Sequence, residues 1–168
     1  MENMEKIGLV KASKLTSPNP VSLFCTLRPD GGTNMAAISW WTFVSFAPDL
    51  LAVAMMKNGY SGELFRASGE AILTVPGVSL QEIALKCGTS TGRKTDKIKQ
   101  FGIQTMPFEG SQILVPKGIR LALHLKLKEY YPTGTHYLHI CEVASAWANE
   151  NVEAVFAYNG YENIKPLH

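Results

Sequence analysis

The chain predicts a mainly antiparallel β fold, a β-barrel with helices on its outside, and three observations carry that prediction. From Ile119 to Lys128, apolar Ile119, Leu121, Leu123, Leu125 and Leu127 alternate with Arg120, Ala122, His124, Lys126 and Lys128. That is a period of two, which sends successive side chains to opposite faces of a strand and would scatter the leucines around a helix. Leu50 to Met56 is a nearly continuous apolar run of strand length, as expected of a central strand. Pro29-Asp30-Gly31-Gly32 separates two β-rich segments, and glycine there supplies the positive φ of a tight reversal.

The remaining elements follow in order. Val21 to Arg28 reads as a strand entered sharply after Pro18 and Pro20, and Asn34 to Ser45 as its hairpin partner. Ser61 to Ser68 predicts a short helix capped by Ser61, with Leu64, Phe65 and Ala67 inward. Glu70 to Val75 is a further strand. A helix is expected from Ser79, with Glu82 at capping-box spacing and Gly88 ending it. Thr89 to Gln104 is polar, with a short helix expected over Thr95 to Phe101, and Ile113 to Val115 suits a small strand. Thr135 to Trp147 is expected to return against Ile119 to Lys128 after a Pro132-Thr133-Gly134 turn, and Tyr158 to His168 reads as an irregular tail. Hairpin connections without regular crossover helices favour an antiparallel barrel. No repeat or linker interrupts the chain, so one domain over 1–168 is expected.

Composition narrows the function classes. The 168 residues are 46% hydrophobic and 18% charged, a globular balance with enough length for a core. A net charge of +2 with scattered basic residues lacks the basic stripe of a nucleic-acid binder. Cys25, Cys87 and Cys141 are odd in number and widely spaced, which reads as reduced thiols in a cytoplasmic setting. No stretch has the length of a membrane span or the apolar core of a signal peptide.

Familiar catalytic devices are missing. There is no GxGxxG after a strand, no GxxxxGK[ST] loop and no GxSxG elbow. His124, His136, His139 and His168 lack HExxH spacing, and His136 and His139 would face opposite sides of one strand, so no metal site is expected. Three segments remain: Asn34-Met35-Ala36-Ala37-Ile38-Ser39-Trp40-Trp41, Lys57-Asn58-Gly59-Tyr60-Ser61-Gly62-Glu63, and Cys87-Gly88-Thr89-Ser90-Thr91-Gly92-Arg93-Lys94-Thr95-Asp96-Lys97. Singly, they read as a strand, a helix cap and a solvated loop.

In this order the segments resemble the flavin reductase-like, FMN-binding split-barrel family, in particular its flavoredoxin-type members. The resemblance rests on Pro20-Val21 and on Asn34 through Ser39-Trp40 to Val44-Ser45 and Pro48. It extends through Ser61, Cys87-Gly88, Thr91-Gly92 and Asp96-Lys97 to Gly134-Thr135-His136 and Cys141-Glu142-Val143. It implies FMN as cofactor, an isoalloxazine ring and ribityl chain along the segment with Asn34, Met35, Ala36, Ala37 and Ser39, Trp40 or Trp41 on or beside the ring with the other in the core, and a phosphate near Lys57, Asn58, Tyr60 and Ser61. Thr91, Gly92 and Lys97 would complete the pocket. A helix N-terminus suits the phosphate, because its amides are free and its dipole favours anions. Alanines at 36 and 37 are small enough for a flat ring to approach the backbone.

The implied activity is NAD(P)H-dependent flavin reduction, with NADH or NADPH as donor and His136 as the candidate catalytic residue; a structural histidine bonded to backbone is the plain alternative. A homodimer is implied, with a redox protein as a further partner. Rival expectations are a non-enzymatic FMN electron carrier, and a module of the same fold that binds haem or a deazaflavin. The chain departs from the family pattern at Tyr60-Ser61, Thr91, Thr135 and Cys141.

Overall fold

The computed structural model describes residues 4–167; His168 lies outside the described residues. A short helix α1 (Leu9–Lys14) and strand β1 (Asn19–Pro20) precede β2 (Ser22–Leu27) and β3 (Thr33–Ile38). These are followed by β4 (Trp41–Phe46), β5 (Asp49–Met56), helix α2 (Tyr60–Ser68) and β6 (Glu70–Pro76). A single 3-10 turn (Val78–Leu80) leads into α3 (Gln81–Thr89), then α4 (Lys97–Phe101), β7 (Thr105–Met106) and β8 (Val115–Pro116). The long hairpin β9 (Ile119–Thr133) and β10 (His136–Ala148) precedes β11 (Phe156–Tyr158) and β12 (Asn163–Lys165).

Seven strands form one antiparallel sheet in the order β3-β2-β6-β9-β10-β5-β4. The antiparallel β class expected from the sequence is therefore the fold. Period-two alternation divides its side chains between two cores. Phe24, Leu73, Leu123 and Leu125 join Leu51, Val53, Met55 and Phe65 in one cluster, with Phe65 delivered by α2. Leu23, Cys25, Ile72 and Ala122 join the other, which α3 covers through Ala84 and Cys87. The amphipathic α2 thus closes one core while α3 covers the other.

Several expected elements differ. Asn34 to Ser45 is not one strand: β3 stops at Ile38 and β4 begins at Trp41, pairing with β5 instead of β2. The break falls at Ser39-Trp40, where the chain leaves one end of the sheet for the other. Gly59, not Ser61, is the N-cap of α2. Ser79 lies in the 3-10 turn and Gly88 within α3, so the capping-box spacing there does not form a cap. Asp96 caps α4, its Oδ1 accepting the Lys99 amide at 3.2 Å. The strand at Ile119 is longer than the alternation indicated, and its basic face is partly covered, with Lys128 left exposed. His124 is buried and hydrogen-bonded to Glu70 at 2.9 Å, and Lys126 pairs with the same carboxylate at 2.9 Å.

The tail is also ordered. β12 pairs with β11 and β11 with β1, tying the C-terminal segment to the N-terminal one. Asn159 (φ 50°) and Gly160 (φ 75°) make the intervening turn, where left-handed backbone suits Asn and Gly. Among the described residues, no helix is long and apolar enough to cross a membrane.

Candidate functional site

A cleft of about 490 Å³ opens where β3, the end of β5, the start of α2, the end of α3 with the 90–92 loop, and the start of β10 meet. Its floor is β3. Ala36 and Ala37 present only methyl groups, and a Cβ on Gly88 would lie 3.2 Å from the Ala37 Cβ. Small side chains here leave the backbone of β3 open to a flat ligand.

One end of the cleft is built for an anion. α2 has no side-chain cap, so the amides at Tyr60, Ser61 and Gly62 have no intrahelical partner. Below them, Asn34 Nδ2 donates to Ser61 Oγ at 2.9 Å and to Thr26 Oγ1 at 3.3 Å. Gly92 packs over Asn34 and Tyr60 so closely that a Cβ would stand 1.9 Å from Asn34 Oδ1. Arg93 secures this loop: its guanidinium lies 5.0 Å from the Tyr60 ring centre and is hydrogen-bonded to Glu63. The Arg93 hydrogen bond holds the Glu63 carboxyl below its ordinary pKa.

The other end is aromatic. Trp40, half exposed, lies against the His136 ring with centroids 4.9 Å apart and planes 30° apart. The Thr135 hydroxyl is hydrogen-bonded to His136 Nδ1 at 2.8 Å and fixes that ring. β10 pairs His136 with Met56 of β5, so strand register places both at the cleft. Tyr161 reaches the same end from the turn between β11 and β12.

Lys97 is 4% exposed and lines the cleft. Its ammonium donates to Met35 O and Cys87 O, each at 2.8 Å. The Cys87 carbonyl belongs to the last turns of α3, the negative end of the helix dipole. Burial lowers the Lys97 pKa, and burial pushes the Cys87 thiol up to about 11.

Of the residues singled out from the sequence, Ala36, Ala37, Ser39, Trp40, Tyr60, Ser61, Thr91, Gly92, Lys97 and His136 converge on the cleft. Five do not line it. Asn34 lies beneath Gly92 and supports Ser61. The Met35 side chain is fully buried in the core and contributes only its carbonyl, to Lys97. Trp41 turns the other way, edge-on to Phe43 at 5.8 Å, because the strand break places it on β4. Lys57 rests 5.5 Å from the Tyr137 ring centre, and Asn58 only offers its carbonyl to Arg93 at 3.5 Å. Sequence reasoning missed Met56 and Tyr161. The Asn159-Gly160 turn signal would have marked the hairpin that presents Tyr161.

The comparisons with known proteins agree with this architecture. Residues 15–165 match the flavin reductase like domain. An uncharacterised protein of Archaeoglobus fulgidus is 29% identical over 112 residues, 66% of this chain and 62% of that one. One of Escherichia coli is 28% identical over 104 residues, 61% of this chain and 55% of that one. The chain thus spans less than two thirds of the length of either relative. Among solved structures, a flavoredoxin of Methanosarcina acetivorans superposes with a TM-score of 0.82 at 20% identity, over 98% of this chain and 92% of that one. The Streptomyces globisporus NADH:FAD oxidoreductase gives 0.84 at 15% identity, over 100% and 98%. An FMN-binding protein of Thermus thermophilus gives 0.81 at 17% identity, over 99% and 100%. At these identities the structural likeness speaks for the split-barrel fold, and the domain match assigns the lineage: the chain belongs to the flavin reductase like family.

Proposed function

We propose that this chain is an FMN-binding oxidoreductase that takes hydride from NADH or NADPH and passes reducing equivalents to free flavin or to a redox protein. One observation carries the reading: the cleft has an anion end and an aromatic end joined by a small-residue strand. β3 joins them, running from Asn34 beneath the first to Ile38, which leads into Ser39 and Trp40 at the second, four strand steps or about 13 Å.

The donor set fits that ligand. The uncapped α2 amides and the Ser61 hydroxyl suit a phosphate. Asn34 holds the Ser61 hydroxyl from below, and Gly92, with no room for a Cβ, lets the loop close over Asn34. Ala36 and Ala37 admit a flat ring, and Trp40 and His136 supply its aromatic flank. When bound, FMN would supply the hydride-accepting ring and pass electrons onward. The chain's own residues bind and orient: Lys97 ties β3 to α3 under the ring, Thr135 fixes His136, and His136 holds a polar group at the reacting end. The flavoredoxin and FMN-binding neighbours favour FMN, and the NADH:FAD oxidoreductase favours a nicotinamide donor.

A homodimer belongs to this reading. Edge strand β4 exposes Phe43, Val44 and Phe46 (85% exposed), with Trp147 on β10 also exposed, and an apolar edge of this kind invites a partner chain. Cys25, Cys87 and Cys141 are buried free thiols, which suits a reducing cytoplasm.

Adding NADH and then NADPH to the FMN-loaded protein under anaerobic conditions tests the activity. Loss of the oxidised flavin bands with either nucleotide supports the reductase. Bands that persist with both but vanish with dithionite contradict it and leave an electron carrier fed by a protein donor.

A further inference from the structure

Five buried side-chain polar atoms lack a hydrogen-bond partner among the described residues, and only one, Tyr161 Oη, belongs to a residue that lines the cleft. Buried polar groups nearly always find a partner, so an orphan facing a binding site points to a ligand. The Ser39 hydroxyl is the phenol's neighbour and acts on it as a weak hydrogen-bond partner, slightly offsetting the effect of burial, but no bond of full distance and angle joins the two.

The phenol is also held in place. Its ring packs on the core that contains Ala157 and Ile164, the centres of β11 and β12. The turn carrying it is pinned to the N-terminal segment: the Asn159 amide donates to Ser17 Oγ at 2.7 Å, and Lys14 pairs with Glu162 at 2.8 Å. Burial pushes the Tyr161 hydroxyl up to about 12. It therefore stays protonated across the working range and offers a donor.

We propose that Tyr161 is a ligand-binding residue that donates a hydrogen bond from its fixed phenol to a carbonyl or ring nitrogen on the polar edge of the bound flavin. This rests on the flavin reading above. The phenol neighbours Ser39, the residue before Trp40, and lines the same cleft as Trp40 and His136. A donor fixed there contacts the ring, favours one placement of it, and contributes to affinity and to the electronic character of the bound flavin. It also carries a cost in the free protein, where the hydroxyl is dry and unpaired.

Tyr161→Phe removes the oxygen and keeps the packing. FMN titration of wild type and variant, read by absorption and flavin fluorescence, is paired with thermal unfolding of both apo-proteins. The expected result is FMN binding about ten-fold weaker in the variant, a changed visible spectrum of the bound flavin, and an apo Tm equal to or above that of wild type. Variant affinity within about two-fold of wild type with an unchanged spectrum overturns the inference and leaves the flavin reading standing. A lowered apo Tm also overturns it, because the phenol would then have a structural partner. Failure of wild type itself to bind FMN overturns both.

Discussion

Gly92 lies against Asn34 so tightly that a Cβ would stand 1.9 Å from Asn34 Oδ1 and 3.1 Å from Tyr60 Cδ1. Asn34 cannot yield, because its Nδ2 is bonded to Ser61 Oγ at 2.9 Å beneath the start of α2. Gly92→Ala must therefore lift the loop or break the Asn34–Ser61 bond. We expect a stability loss of about 1–3 kcal/mol, the usual cost of overpacking, and FMN affinity at least ~10-fold weaker, since the anion end is deformed. Urea unfolding and an FMN titration on the same preparation check both.

Lys97 offers a different separation. Its ammonium is buried with two backbone carbonyls and, among the described residues, no carboxylate within ion-pair distance. Lys97→Met fills similar space but leaves Met35 O and Cys87 O unpaired. The expected destabilisation is about 2 kcal/mol, the scale for stranding buried acceptors, read as a lower urea midpoint at unchanged slope.

Arg93 should separate binding from folding. Its pair with Glu63 is solvent-exposed, and exposed pairs contribute little to stability. Yet the guanidinium also covers Tyr60 and reaches Asn58 O, so it holds the 90–93 loop over α2. Arg93→Ala is expected to leave Tm nearly unchanged while weakening FMN binding about three- to ten-fold. Equal loss in both would show that the residue acts through the fold.

The strands were legible where alternation or turn chemistry is local: the Ile119 strand, the apolar Leu50 run and the Pro29–Gly32 reversal. The split between β3 and β4 was not, because Ile38 to Phe43 is β-prone throughout and only tertiary pairing with β5 decides where the chain breaks. That miss carried over to the site. It left open which of Trp40 and Trp41 meets the ring and which is core, and the break decides it by sending Trp41 to the core. Tyr161 was hidden for the opposite reason. Its hairpin is held by β1, some 140 residues earlier, and no local pattern announces such a partner. Gly92 and Lys97 stood in a polar loop whose residue types read as solvent-facing; the burial of Lys97 at 4% depends on carbonyls from β3 and α3.

His139 gives the fold an acid sensitivity. It is fully buried, with Nδ1 3.2 Å from Val53 O and Nε2 3.2 Å from Arg66 Nη1. Nδ1–H donates a hydrogen bond to Val53 O, and the guanidinium donates to a neutral Nε2. Burial, with Arg66 adding to it, lowers the ring's pKa below the ordinary histidine value. Between that lowered pKa and the unfolded one, the unfolded chain binds more protons than the native protein. Stability therefore rises with pH in this window and falls on acidification below the ordinary histidine range. The slope from one such group reaches at most about 1.4 kcal/mol per pH unit. Urea unfolding at a series of pH values should show it, and His139→Leu should flatten it while lowering stability throughout.

The central claim is that the cleft between β3, α2 and β10 holds FMN that a reduced nicotinamide can reach. The most direct measurement is anaerobic: load the wild-type protein with FMN, remove the free flavin, record the visible spectrum, and add NADH or NADPH. The account predicts oxidised flavin bands that stay with the protein and then bleach on addition of the nucleotide. A protein that emerges colourless and fails to retain added FMN would contradict it.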